Sequence, residues 1–365
     1  MNIPPSSSAS PLSSYSQNQG QPIRVLVVDD SAFMRFTLTS RLNAADGITV
    51  VGAAHDGKEA LELIVSLKPD LVTLDVEMPH MDGLSTLQQI MAKNPLPVIM
   101  VSSLTTEGAR ETIQALTWGA VDFIAKPSSK ANIDAILDDL IAKIYRAAQA
   151  RVFNAVPLSR PDDSSKINNK KSRPHREQDK IVVIGSSTGG PRALNAVMSQ
   201  LSAQLPAAVL IVQHMPVGFT RSLAERLNSI SELIIKEAEP GDALENGKAL
   251  IAPGGFHMVL DSAGKIALNQ NPTVHGVRPS VDVTLLSIAQ QYGKSTVAVI
   301  LTGMGKDGTN GAALIHSLGG KVIAEDESTC VVWGMPRSVW EAGAADEIVP
   351  LPDIPKAIER AVGWN

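Results

Sequence analysis

The chain has a single cysteine, Cys330, in 365 residues, so no intrachain disulfide can form, which suits a reducing compartment. Cys330 sits in Thr329-Cys330-Val331-Val332-Trp333, among apolar neighbours. Burial raises a thiol pKa, so a structural role is expected for it rather than a nucleophilic one. Long apolar runs are also missing: none approaches the ~18 residues that a membrane span requires. Positive charge is in short supply, with 32 Lys and Arg against 37 Asp and Glu, a net charge of −5 and a pI near 5.8. Nucleic acid is therefore not expected as a partner, since phosphate-backbone binding needs a concentrated positive field. The Ser/Pro/Gln/Asn-rich stretch Met1 to Gln21 has neither the positive start nor the apolar core of a secretory signal, so a disordered tail over residues 1–22 and a cytoplasmic protein without membrane insertion are expected. What remains, 44% hydrophobic and 19% charged, is ordinary for a soluble globular protein, and the length allows two domains.

From Ile23 to about Tyr145, apolar runs alternate with amphipathic stretches. Strands are expected at Arg24–Val28, Ile48–Ala53, Asp70–Leu74, Pro97–Val101 and Val121–Ile124, with helices between them such as Gly83–Lys93. Five strands alternating with helices predict a parallel, doubly wound sheet with sites beyond the carboxyl ends of its strands. At those ends lie Asp29-Asp30, Asp75, Ser102 and Lys126-Pro127. Three converging carboxylates repel one another unless a cation neutralises them, and oxygen-only ligands favour Mg²⁺.

The motifs Val27-Val28-Asp29-Asp30-Ser31, Leu74-Asp75-Val76-Glu77-Met78-Pro79, Val101-Ser102 and Ala125-Lys126-Pro127 resemble the receiver domain of two-component response regulators, over residues 23–146. The resemblance implies a flavodoxin-like five-stranded domain in which Asp75 accepts a phosphoryl group from a histidine kinase. It implies Mg²⁺ held by Asp30, Asp75 and the backbone carbonyl of Glu77, with Asp29 close by. Ser102 and Lys126 would bind phosphoryl oxygens, Phe123 would be the aromatic switch, and the Lys126–Pro127 bond would be cis.

Residues 147–178 lose the strand signals and become Pro/Ser/Asn-rich with a basic cluster, which reads as a flexible tether. Beyond it, Lys180-Ile181-Val182-Val183-Ile184 reads as a buried strand running into Gly185-Ser186-Ser187-Thr188-Gly189, a G-x-S-x-G turn, and then into a helix opened by Pro191. Such a turn exposes a serine at the tip of a sheet, though the same run could merely connect, or cradle an anion. A second buried strand, Ala207–Gln213, delivers His214; a third, Thr296–Leu301, leads to Asp307. The three tips could meet at one sheet edge, as a Ser-His-Asp triad requires. An ordinary hydrolase order would instead need Asp242 or Asp261 followed by His275 or His316, none of which is at a clear strand end.

Gly185-Ser186-Ser187-Thr188-Gly189-Gly190, Gln213-His214-Met215-Pro216, Ile251-Ala252-Pro253-Gly254, Arg278-Pro279-Ser280-Val281-Asp282 and Leu301-Thr302-Gly303-Met304-Gly305-Lys306-Asp307-Gly308 resemble the chemotaxis protein-glutamate methylesterases, the CheB family. Ser186, often alanine there, and Lys306, often asparagine, are small departures off the triad positions. The resemblance covers about residues 179–365 and implies a doubly wound, mostly parallel α/β domain. It also implies hydrolysis of glutamyl methyl esters on chemoreceptors, with deamidation of glutamines, by Ser187, His214 and Asp307. The backbone N–H of Met304 would bind the oxyanion, and no cofactor would serve the esterase. An output domain that only binds a partner is the competing expectation, and a DNA-binding output is less compatible with the acidic βα pattern.

Overall fold

A computed structural model describes residues 21–103, 105–126, 133–152, 172–175 and 179–364. The expected tail up to residue 20, most of the tether and Pro127, with its cis-bond expectation, lie outside the described residues. Strands β1 (Ile23–Val28), β2 (Ile48–Ala54), β3 (Leu71–Asp75), β4 (Val98–Ser102) and β5 (Asp122–Ala125) alternate with helices α1 (Ala32–Asn43), α2 (Gly57–Leu67), α3 (Gly83–Lys93), α4 (Thr106–Trp118) and α5 (Ile133–Ala147). The strands form one parallel sheet in the order β2-β1-β3-β4-β5. Its central strands are apolar on both faces because helices cover both, and β3 and β4 are buried throughout.

The second half opens with β6 (Arg173–Pro174), β7 (Lys180–Ser186), α6 (Gly190–Met198), β8 (Ala207–Gln213), α7 (Phe219–Ile230), β9 (Ile234–Glu237), β10 (Glu245–Asn246) and β11 (Lys248–Ile251). It continues through the hairpin β12 (His257–Leu260) and β13 (Ile266–Asn269), then α8 (Val281–Tyr292), β14 (Thr296–Ile300), α9 (Thr309–Ser317), β15 (Lys321–Glu325), α10 (Met335–Glu341), β16 (Glu347–Val349) and α11 (Ile354–Ala361). Seven of these strands build a wholly parallel sheet in the order β16-β15-β14-β7-β8-β11-β9. The chain begins that sheet at its centre, with β7, and winds outward in both directions. The crevice between β7 and β14 is the point where strand order reverses, which is where doubly wound sheets hold their ligands.

Residues 172–175 depart from the tether expectation. Arg173–Pro174 pairs antiparallel with Glu245–Asn246, the Ser172 hydroxyl donates to Glu245, and His175 Nδ1 lies 2.9 Å from Asn246 Oδ1. Polar composition suggested chain in solvent, whereas two strand-pairing residues and these two side-chain contacts dock it. The short edge strands β9 and β16 carry too few residues for a periodic pattern to register.

The two halves pack together. The Phe123 and Phe219 rings lie 4.4 Å apart, and apolar residues of α4 (Ile113, Leu116) join those of α6 and α7 (Ala193, Leu223) in one buried cluster. An exposed Arg110–Glu225 ion pair at 3.0 Å sits at the rim, where it contributes little.

Gly185, the penultimate residue of β7, has no room for a side chain: a Cβ there would lie 2.6 Å from Val281, the first residue of α8. Gly185→Ala is expected to cost about 1–3 kcal/mol by overpacking and to lower the Tm measured by calorimetry.

Candidate active site

Three strand tips meet at the reversal point. Ser187 follows β7, and its N–H donates to the Thr302 carbonyl at 3.0 Å, while its own carbonyl accepts from Gly190 N–H at 2.8 Å and from Gln213 Nε2 at 2.9 Å. The left-handed φ of +79° at Gly189 closes the turn, so α6 starts at Gly190, one residue ahead of Pro191. Gly190 is required there because a Cβ would collide with Gln213 Oε1. His214 follows β8, and its N–H donates to Ser186 O at 3.1 Å. Its ring places Nε2 2.7 Å from Asp307 Oδ2. That contact leaves Nδ1 as the ring nitrogen free to take a proton.

Asp307 is 2% exposed and accepts from more than the imidazole. Oδ1 receives the Ser280 hydroxyl at 2.7 Å, Asp282 N–H at 3.0 Å and Gly308 N–H at 3.1 Å; Oδ2 receives Val281 N–H at 2.6 Å. These donors include the opening turn of α8, where unpaired N–H groups and the helix dipole favour an anion. Burial pushes the Asp307 carboxyl up, but His214 and the converging donors outweigh it and hold it below the usual carboxylate range.

Ser187 and His214 line a cavity of about 320 Å³ whose opposite wall is made by Asp122, Phe123, Lys143 and Arg146 of the first half. Beside Ser187, the chain leaves β14 through Gly303, where a Cβ would stand 2.8 Å from Ser187 Cβ. The next N–H, that of Met304, donates to no protein acceptor among the described residues. A backbone donor adjacent to the serine and an imidazole backed by a carboxylate are the components of acyl transfer.

The alternative acids and bases have other partners, although His275 and Asp282 stand beside Asp307, with the ligand atoms of all three within 4.8 Å of one another. His275 Nε2 lies 3.1 Å from buried Asp282 Oδ2, His316 Nδ1 lies 3.4 Å from Asp346, and His257 Nε2 faces Pro272 O at 3.1 Å. Asp261 accepts turn N–H groups of its hairpin, and Asp242 pairs with Lys236. Sequence reading missed Gln213, which ties the backbones of Ser187 and His214 together, and Ser280, which holds Asp307. Gln213 had a legible signal as a polar residue ending a buried strand.

The sheet of the first half gathers a second constellation. Carboxylate oxygens of Asp29, Asp30 and Asp75 lie within 4.8 Å of one another. Lys126 Nζ is 2.6 Å from Asp75 Oδ2 and 3.6 Å from Asp29 Oδ2. Burial pushes the Asp75 carboxyl up to about 6, against the pull of Lys126, and burial raises Asp29 too. Asp29 Oδ2 is buried without a hydrogen-bond partner. Three hard oxygen donors with one acceptor unspent fit a divalent cation such as Mg²⁺.

Ser102 is fully buried, with its hydroxyl 3.0 Å from the Gly108 carbonyl in α4. Glu77 donates its N–H to Asp75 Oδ1 at 3.3 Å, while its carboxylate accepts from Ser103 Oγ at 2.7 Å. Phe123 is buried against Phe219, with Lys143 Nζ 5.2 Å above the ring.

The raised Asp75 means that the folded chain holds a proton between pH 3.8 and about 6 that the unfolded chain has lost, so stability falls as pH rises through that window. Asp75→Asn is therefore expected to stabilise the protein at neutral pH by about 1–3 kcal/mol, read as a higher Tm, with the advantage vanishing below pH ~4.

Two family models match the chain: the response regulator receiver domain over residues 25–138 and the CheB methylesterase over residues 182–358. A protein-glutamate methylesterase/protein-glutamine glutaminase of Symbiobacterium thermophilum is 52% identical over 354 residues, covering 94% of this chain and 98% of that one. One of the same name from Pyrococcus abyssi is 48% identical over 352 residues, covering 94% of each. Among solved structures, the catalytic domain of Thermotoga maritima CheB methylesterase is 52% identical, with a TM-score of 0.49 over 50% of this chain and 98% of that one. Matched along nearly its whole length, with a receiver in front and a methylesterase behind, the chain belongs to the CheB methylesterase family.

Proposed function

We propose that this protein is a phosphorylation-regulated protein-glutamate methylesterase and glutamine deamidase of chemoreceptors. The observation that carries the reading is the 2.7 Å contact of His214 Nε2 with a buried, five-donor Asp307, while His214 and Ser187 line one cavity. His214 Nδ1 takes the proton of Ser187 Oγ as that oxygen attacks the γ-carbonyl of a methylated glutamate. Asp307 holds the imidazole in the Nε2–H tautomer and stabilises the imidazolium. The Met304 N–H meets the developing oxyanion, a contribution of roughly 3 kcal/mol for one such donor. The C–OCH₃ bond breaks, methanol leaves with the proton from His214, and water, activated by the same base, releases the glutamate. A glutamine side chain passes through the same tetrahedral species and releases ammonia. Among the described residues no helix is long and apolar enough to cross a membrane. The proposed enzyme is cytoplasmic, acts on the cytoplasmic domains of its receptors and uses no cofactor for the ester step.

In the receiver, proposed to span residues 23–146 ahead of a 147–178 linker and a 179–365 catalytic domain, Asp75 accepts the phosphoryl group of a histidine kinase. Asp30, Asp75 and the Glu77 carbonyl, with Asp29 close by, would hold the Mg²⁺ that offsets phosphoryl charge. Lys126, now paired with Asp75, would turn to the new oxygens, and Ser102 would leave the Gly108 carbonyl to do the same. Before phosphorylation the receiver covers the esterase: Asp122 Oδ2 accepts from the hydroxyl of Thr188, next to Ser187, at 2.8 Å, and neighbouring Phe123 stacks on Phe219. A receptor helix must enter where these residues stand. Phosphorylation acts through Ser102 and Phe123 to loosen that contact.

Two measurements test this reading. Ser187→Ala is expected to cut methanol release from methylated receptors by about 10³-fold or more, and undiminished release would refute the nucleophile assignment. Asp122→Ala is expected to raise the unphosphorylated rate about 3–10-fold, since it removes one charge-assisted hydrogen bond from the closed form; an unchanged rate would count against receiver inhibition.

A further inference from the structure

Among the described residues, Glu325 is the most completely buried carboxylate outside the two constellations, at 0% exposure, and no step above uses it. It ends β15, one residue past Ala324, the partner of Ile300 at the end of β14. There the chain from β14 peels away from β15 toward Gly303 and Met304. Leu301 N–H still finds Gly185 O at 2.9 Å, but the next N–H, that of Thr302, has no strand carbonyl to meet. Glu325 Oε2 takes it at 2.8 Å, and Oε1 is held by the Thr329 hydroxyl at 3.1 Å. The side chain thus replaces a ladder partner and spares a buried donor from going unpaired.

Thr302, held in this way, serves the nucleophile turn with its remaining polar groups. Its carbonyl accepts Ser187 N–H at 3.0 Å, and its hydroxyl lies 3.1 Å from the Thr188 carbonyl and accepts Val332 N–H at 3.0 Å. Gly303 follows, packed against Ser187 Cβ, and then comes the N–H of Met304. One backbone segment therefore sets both the seat of the serine and the direction of the oxyanion donor.

We propose that Glu325 is a positioning residue for the ester reaction: by anchoring Thr302 it fixes the separation between Ser187 and the Met304 N–H. The inference rests on the Ser187 assignment made above. It needs an acceptor oxygen at that length of side chain rather than a negative charge. Burial pushes the Glu325 carboxyl up to about 7 even with the Thr302 N–H, the Thr329 hydroxyl, the Cys330 thiol and the Arg192 guanidinium favouring its charged form, so a neutral acceptor is compatible with the site.

The test uses the full chain with Mg²⁺, acetyl phosphate as phosphodonor and methylated receptor membranes as substrate, with kcat and KM read from methanol release. Glu325→Gln keeps an acceptor in place and is expected to stay within about threefold of the parent. Glu325→Asp, one methylene short, and Glu325→Leu are expected to lose about 10–100-fold in kcat with KM within about threefold, since misplacement of about 1 Å can cost 10²-fold. Should Glu325→Leu fail to fold, the Asp and Gln variants decide by the same criteria. Parental kcat in Glu325→Asp, or a Gln variant as impaired as the Asp variant, overturns the proposal. Ser187→Ala, run alongside, separates the two failures: if it is inactive while the Glu325 variants are parental, only this inference falls; if it stays active, the serine assignment falls first.

Discussion

The buried carboxylate of Asp307 is the constraint on which the catalytic half is arranged. A carboxylate can stay charged away from water only if donors replace its hydration, and here two elements distant in sequence supply them. The opening turn of α8 contributes two N–H groups and the capping hydroxyl of Ser280, while Gly308 and His214 complete the set. The order of the sheet follows from the same demand. With β7 at the centre and β14 and β8 on either side, the three tips open toward one crevice, and α8 is packed where its N-terminus can face β14. Moving any of these strands by one position would leave the imidazole or the carboxylate without its partner.

The two carboxylates that matter most, Asp307 and Asp75, are both buried and are driven in opposite directions. Asp307 has four donors besides the imidazole, and its affinity for a proton falls. Asp75 has one lysine, one long backbone contact and a neighbouring acid, and its affinity rises. The difference matches what each is proposed to do. An orienting acid must remain an anion throughout a turnover, so it is saturated with protein donors. A phosphate acceptor with an adjacent cation must be left with valences to fill, and the unspent Asp29 Oδ2 beside it has the same character.

Much of this was legible in the sequence, and the reasons differ by feature. The five-stranded sheet and the central strands of the seven-stranded one declare themselves because strands buried on both faces read as unbroken apolar runs. Helix α3 came out with the bounds expected, since Asp82 caps it through Ser85 N–H and Leu84, Leu87, Ile90 and Met91 recur on one face. The positions of Ser187, His214 and Asp307 at strand ends were readable, but not the ring nitrogen that His214 turns to Asp307. That choice depends on where α8 enters, which no local pattern records. Residues 172–175 misled because polar composition describes solubility and says nothing of two backbone hydrogen-bonding edges that happen to match. The contact between Asp122 and Thr188 was beyond reach for a similar reason: it joins two halves whose relative placement is set by the apolar faces of α4, α6 and α7 together.

That shared apolar face also bears on how phosphorylation is proposed to act on the esterase. Phe123 lies in β5, three residues before Lys126, so its backbone is tied to the strand whose end carries the lysine of the acid cluster. Its ring is committed to Phe219, the first residue of α7, and its neighbour Asp122 to Thr188 beside the serine. A displacement of β5 therefore acts at once on an aromatic contact and a hydrogen bond of the covering surface. Close-packed interfaces of this kind deform at a cost: a ring drawn back by about 1 Å forfeits up to about half of its dispersion attraction. Two of the contacts between the halves, those of Asp122 and Phe123, are thus carried by β5, beside the apolar seam that α4 forms with α6 and α7.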